Sequence, residues 1–289
     1  MRSEAHSACA GIRDPTRCQN AAMRYGVSLG AAGAGRDPRT IAELAALAER
    51  AGWDGMFLED YVVYQGQVGT PTYDPWIVLA AMAMATTRIR LGTTVTPVSR
   101  RRPWKLASEA LTLDHLSGGR LVLGVGAGDL SDPGFAATGE PTAAATRAEL
   151  LDEGLEIIAG LWSGEPFSHR GKHYRVEGLQ LSPPPIQKPR IPIWVGGDWR
   201  VAGVRRRLTR WDGSCAYKVG SADDVRAIRT LVERERGSAE GFDIKVGGHR
   251  DPQHMRALAE AGATWWNDWM PPGDVNATRR AIEQGPLKV

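Results

Sequence analysis

The chain has 289 residues, with 36 Lys and Arg against 33 Asp and Glu, a net charge of +3 and 42% apolar residues. That balance excludes a disordered chain and lacks the clustered basic excess of a nucleic-acid binder, and no run reaches the ~18 apolar residues of a membrane span. The three cysteines (Cys9, Cys18, Cys215) fit no zinc spacing and are too few for a disulfide framework, so a reducing, cytoplasmic setting is expected.

Residues 1–22 show neither helical nor strand periodicity and no apolar signal core, and read as a disordered tail with Met23 as an alternative start. From Met23 short β-branched runs alternate with longer helical ones. Tyr25–Leu29 reads as a strand, and Asp37-Pro38 opens a helix whose Ile41, Leu44, Ala45 and Ala48 form one apolar face before Gly52. Asp54–Leu58 is the second strand, a long loop follows, and Pro75 starts the next helix. Ile89–Val95, a helix from Pro103, Arg120–Val125 and a helix entered through a Thr146/Glu149 capping box come next. Residues 163–190 interrupt the rhythm with Gly, Pro and basic residues. Strands at Ile191–Val195, Asp212–Tyr217, Phe242–Val246 and Thr264–Trp269 then alternate with helices, one of them opened by Ser221 and Asp224. Eight strand–helix repeats point to an α/β fold, a (β/α)8 TIM barrel over residues 23–289, with an open doubly wound sheet as the competing arrangement.

Active sites of such barrels form where strands end, so four stretches matter. GVGAGD (Gly124–Asp129) resembles a dinucleotide loop but runs into a Pro/Gly segment instead of a helix; its glycines serve either to turn the chain or to let a planar ring approach. VGGDWR (Val195–Arg200) is a strand, a diglycine and a helix start, either a phosphate site or a tight turn. SRRRPWK (Ser99–Lys105) is either a solvated basic face or a wall facing an anionic cofactor. FLEDY (Phe57–Tyr61) sets Glu59, Asp60 and Tyr61 at a rim, one of them a proton carrier or a loop cap. No residues show metal-ligand spacing.

AERAGWDGMFLED, RIRLGTTVTP, RRPWKLASEALTLDHLSGGRLVLGVGAGD, RAELLDEGLEIIAGLWSGEPFSHRGKHYRVEG, LSPPPIQKPRIPIWVGGDWR and RWDG occur in this order. Together they resemble the bacterial luciferase-like, flavin-dependent oxidoreductases from Met23 to about Asp268. The resemblance implies a barrel with an insertion at about 164–190 and a flavin-type ring at the strand ends, lying against a cis peptide between Thr94 and Val95. It implies a cofactor phosphate at Gly196 and Gly197, with Asp198 and Trp199 beside it, Gly126 and Gly128 near the ring, and Arg102 and Lys105 steering the anionic cofactor. Asp60, Tyr61 and Asp129 are the proton-managing candidates. Relatives using coenzyme F-420 have Asp-His where this chain has Asp60-Tyr61, and Glu where it has Asp129. These departures leave FMN, first, and coenzyme F-420 as alternatives. The implied activity is monooxygenation of a small organic substrate with FMN reduced by a separate reductase. The alternatives are F-420-dependent hydride transfer and a non-catalytic flavin-binding barrel. A homodimer is expected, with Trp265–Trp269 as a candidate surface and Tyr64–Asp74 plus the insert as a substrate lid.

Overall fold

The computed structural model describes residues 23–289; the tail assigned to residues 1–22, with Cys9 and Cys18, lies outside them. In chain order the elements are β1 (Arg24–Gly30), α1 (Pro38–Arg50), β2 (Gly55–Glu59), α2 (Pro75–Ala85) and β3 (Arg90–Thr93) with its short continuation β4 (Thr96–Pro97). Next come α3 (Pro103–Ser117), β5 (Leu121–Gly126), α4 (Ala144–Leu161), β6 (Phe167–Arg170), β7 (Arg175–Leu179), β8 (Ile193–Val195) and α5 (Ala202–Leu208). β9 (Gly213–Ser214), α6 (Ala222–Arg236), β10 (Asp243–Val246), α7 (Pro252–Glu260), β11 (Trp265–Met270) and α8 (Val275–Glu283) complete the chain.

The sheet runs β3-β2-β1-β11-β10-β9-β8-β5, and pairing of β3 with β5 closes it into a parallel barrel. An open sheet is thereby excluded. Helix starts follow local chemistry: the Asp37 side chain accepts from the backbone N–H groups of Arg39 and Thr40, and Asp74 and Asp251 cap α2 and α7 in the same way ahead of a proline. Ser221 and Asp224 form the expected capping box of α6. The Thr146/Glu149 box does not form. Helix α4 starts earlier, at Ala144 behind Ala143 without a side-chain cap, so Thr146 lies inside its first turn, and Glu149 accepts from Lys172 and pairs with His173 of the β6–β7 hairpin. Strand six is also shorter than expected, with only an isolated bridge from Asp198 to Tyr217 beyond β9.

The main core lies between barrel and helices. A second, smaller cluster of Phe57, Val122, Trp194, Cys215 and Trp265 fills the barrel's interior, its rings meeting edge-on at 5.5–5.6 Å. Along β11 the side chains alternate, so Trp265 and Asn267 face inward while Trp266 and Met270 pack outward against helices. Trp265 and Trp266 are fully buried, which corrects their reading as a dimer surface; only Trp269 is exposed, at the barrel mouth. The insert is an antiparallel hairpin seated on α4 through Glu153, which accepts from the backbone of His173 and Tyr174. No helix among the described residues is long and apolar enough to cross a membrane.

Candidate active site

The strand C-termini open into a cleft of about 940 Å³, near the upper end of the ~300–1,000 Å³ typical of small-molecule sites. Its back wall is the exit of β3, where the peptide between Thr94 and Val95 is cis, at the bond the resemblance implied. Val95 projects between two other strand ends. A Cβ on Gly126 would lie 2.7 Å from one Val95 methyl and a Cβ on Gly196 2.5 Å from the other. Both glycines are therefore required by this chain's own packing, and a flat wall of backbone results. Gly128 is likewise close-packed, under Phe135, and Gly197 has φ +113°, where only glycine is at ease.

A second wall is an ion network. Asp60, buried, accepts from Arg100 at 3.2 Å and from Arg101 at 2.9 Å. Arg100 also donates to Asp132 at 2.5 Å, and Asp132 accepts from the backbone N–H groups of Val62, Val63 and Gly134. Both Asp60 oxygens are occupied by guanidinium donors, so Asp60 ties the β2 exit to the basic run; it is not a free proton carrier. The other two proton candidates do come together: the Tyr61 hydroxyl donates to the Asp129 carboxylate at 3.4 Å. Burial pushes the Tyr61 hydroxyl upward in pKa, reinforced by the charges of Glu59 and Asp129.

Glu59 takes a larger part than the rim position read from sequence. It accepts from the Tyr64 hydroxyl at 2.8 Å and from the Trp269 indole N–H at 3.1 Å. Burial raises its carboxyl above the usual range against those hydrogen bonds and the charges of Lys245 and Arg36. Lys245, at the cleft floor, was missed altogether; an alternating reading of DIKV would have set it inward, opposite Ile244.

The anion-facing side differs from expectation. Gly196 and Gly197 line the cleft, but α5 begins only at Ala202 and is a short helix, so the diglycine is not its N-terminus. Asp198 lines the cleft while clasping Lys218 at 2.8 Å. Trp199 lies outside the lining and stacks with Arg200. Arg102 and Lys105 also lie outside it: Arg102 is exposed, and Lys105 pairs with Glu109 on an outer groove. Neither takes the expected place on the cofactor wall: Arg102 is the exposed residue just before α3, and Lys105, in its first turn, faces the outer groove. The cations that do line the cleft are Arg100, Arg147, Arg207 and Lys245. Arg147 donates to the carbonyls of Ala127 and Gly128, and Arg207 pairs with Asp152. No residue of Tyr64–Asp74 or of the insert at 164–190 lines the cleft, so neither expected lid segment covers it here.

The sequence profile of the luciferase-like monooxygenase family matches residues 21–285. The chain belongs to that family. This luciferase-like chain is 37% identical over 190 residues to a Mycobacterium tuberculosis protein assigned as a coenzyme F420-dependent oxidoreductase, covering 62% of this chain and 51% of that one. It is 34% identical over 162 residues to the F420-dependent glucose-6-phosphate dehydrogenase of Microbacterium testaceum, covering 55% and 47%. The matches span about half the length of these two relatives. A monooxygenase of Streptomyces bottropensis superposes with a TM-score of 0.73 at 20% identity, over 91% of this chain and 97% of that one, a likeness of fold. The luciferase-like fold is shared by solved proteins whose names include F420-dependent enzymes and flavin monooxygenases.

Proposed function

We propose that this luciferase-like oxidoreductase binds coenzyme F-420 in the barrel mouth and moves a hydride between it and a small organic substrate. The observation that carries the reading is the Tyr61–Asp129 pair, a phenol and a carboxylate at one cleft wall, where a proton must enter or leave as hydride is transferred. The two F420-named relatives support the deazaflavin over FMN, which the sequence reading set first.

The residues present fit such a group. The glycine-flanked Val95 wall offers a flat face for a ring, and Arg147, with Arg207 whose charge is shared with Asp152, lines the same cleft as Gly197 and offers positive charge for a phosphate. The deazaflavin, when bound, supplies the two-electron chemistry. Thr94 and Val95 orient the ring, Tyr61 and Asp129 exchange the proton with substrate, and the Asp60–Arg100–Asp132 network holds both loops in register.

A second reading has FMN in the same cleft, reduced by a separate reductase, with oxygen as co-substrate. Tyr61 favours it, since it stands where F-420 relatives have histidine. Pairing of two copies through the apolar groove of α2 and α3, where Ile77 and Leu116 are exposed, completes the proposal. A cytoplasmic location remains the expectation from the cysteine count. Titration of the purified protein with reduced F-420 and reduced FMN tests the choice. Tighter F-420 binding, with substrate-dependent change in its absorbance under nitrogen, supports hydride transfer. Tighter FMN binding with oxygen consumption overturns it, and binding with no turnover above the free cofactor leaves a carrier.

A further inference from the structure

We propose that the substrate of this site is a small apolar amine, its ammonium seated on the Glu59 carboxylate beside the rings of Tyr61 and Trp269. The inference rests on the proposed function and names the substrate class that reading leaves open.

Five carboxylates line the cleft: Glu59, Asp60, Asp129, Asp132 and Asp198. Three are spent in ion pairs, Asp60 with Arg100 and Arg101, Asp132 with Arg100, and Asp198 with Lys218. Among the described residues Glu59 and Asp129 have no such partner, and Glu59 is the more buried of the two. The Glu59 oxygens accept only from neutral donors, the Tyr64 hydroxyl at 2.8 Å and the Trp269 indole N–H at 3.1 Å. A carboxylate oxygen has room for two donors, so each keeps one place open. Cations act on Glu59 only at longer range. Arg36 donates to the carbonyls of Met270 and Pro271 and to the Thr278 hydroxyl. Lys245 donates to Thr94 Oγ1 at 2.9 Å, and burial drives it toward the neutral amine. Burial also raises the Glu59 carboxyl, as expected of a carboxylate without a counter-ion, and a bound cation offsets that penalty.

The surroundings suit an organic cation. Tyr61 and the half-exposed Trp269 line the same cleft, and the Tyr61 ring stands edge-on to that of Tyr64 at 5.2 Å. Aromatic faces attract positive charge, most strongly where water is excluded. The charges acting most strongly on the Tyr61 hydroxyl, those of Glu59, Asp129 and Asp132, are all negative. Leu130, 48% exposed, follows Asp129 in the lining and offers apolar surface to a carbon skeleton. The arginines of the cleft are engaged elsewhere: Arg100 with Asp60 and Asp132, Arg147 with the carbonyls of Ala127 and Gly128, and Arg207 with Asp152. An anionic substrate on this wall would face two unpaired carboxylates, and a neutral one would leave Glu59 uncompensated. An ammonium meets the charge, the open acceptor positions and the rings together.

The test is calorimetric titration of the purified protein, with and without saturating cofactor, by three probes of one shape: benzylammonium, benzyl alcohol and benzoate. The proposal expects wild type, in either state, to bind benzylammonium about tenfold or more tighter than benzyl alcohol, with benzoate the weakest. Glu59→Gln keeps the shape and removes the charge. It should bring benzylammonium to within about threefold of benzyl alcohol and leave the alcohol Kd in place. Should that variant not fold, the wild-type order alone decides. Ammonium binding no tighter than alcohol binding, binding of none of the probes, or a preference that survives Glu59→Gln overturns the inference. A protein that takes a cofactor and rejects the amine overturns the inference alone. One that prefers benzylammonium but takes neither F-420 nor FMN overturns the proposed function, while the amine site stands.

Discussion

Replacing Asp132 by alanine probes how the cleft is held together. This side chain is 1% exposed and accepts from Val62 N–H at 2.9 Å, Val63 N–H at 3.2 Å, Gly134 N–H at 2.9 Å and Arg100 at 2.5 Å. It joins the loop carrying Tyr61 to the loop carrying Asp129. Removal strands three backbone donors, each costing about 1–3 kcal/mol where water cannot replace the acceptor. Arg100 keeps Asp60 as a partner, so the full ~3–5 kcal/mol penalty of orphaning a buried charge does not add to this. A net loss of about 3–5 kcal/mol is expected, since contacts sharing one network do not sum. With an m-value of roughly 3 kcal/mol/M, the urea midpoint followed by tryptophan fluorescence falls by about 1–1.7 M.

The pH dependence of that loss is fixed in sign. Burial alone would raise the Asp132 carboxyl, but hydrogen bonds from Val62 and Gly134 and from Arg100 hold it below the usual carboxylate range. A depressed native pKa contributes stability that is fully present above the unfolded value of ~3.9 and is lost as pH falls through the native value. The gap between wild type and Asp132→Ala should therefore be constant near neutrality and shrink in strong acid. A midpoint shift under ~0.3 M, about 1 kcal/mol at that slope, refutes the bracing role.

Gly196→Ala sets a Cβ 2.5 Å from a Val95 methyl; overpacking of about 1–3 kcal/mol should appear in melting, together with weakened cofactor binding as Val95 is displaced. Tyr61→Phe removes the hydroxyl that faces Asp129 and should slow substrate turnover by roughly 10²–10⁴-fold while cofactor Kd, read by fluorescence titration, stays put. Lys105→Ala should leave that Kd unchanged, because Lys105 lies on the outer groove; a tenfold weakening restores it to the cofactor wall. If the proposed pairing through the α2–α3 groove is right, wild type runs as a dimer in light scattering and Ile77→Glu, at a position 69% exposed on α2, as a monomer; a monomeric wild type contradicts the pairing.

The barrel was legible because its signals are local. Asp-Pro pairs at 37–38, 74–75 and 251–252 start helices whatever surrounds them, and buried strands read as apolar runs. The diglycine was read from its place after a strand, with a tight turn as the alternative, and the Thr94–Val95 bond came from the resemblance; both line the cleft. What failed was long-range. Glu149 was assigned to a local box, but its partners Lys172 and His173 lie more than twenty residues away on the hairpin. Arg102 and Lys105 follow a strand end, yet Arg102 stays in solvent ahead of α3 and Lys105 faces an outer groove from its first turn, while Arg147 and Arg207 reach the cleft from helices remote in sequence. The Trp265–Trp269 run looked like an aromatic surface only because its twofold alternation was not applied.

The most direct check is a crystal structure of the protein soaked with oxidised F-420. The ring should lie against Thr94 and Val95, with its phosphate beside Gly196, Gly197 and the guanidinium groups of Arg147 and Arg207. Density for the ring anywhere outside the barrel mouth, or a phosphate held by Arg102 and Lys105, contradicts this description of the active site.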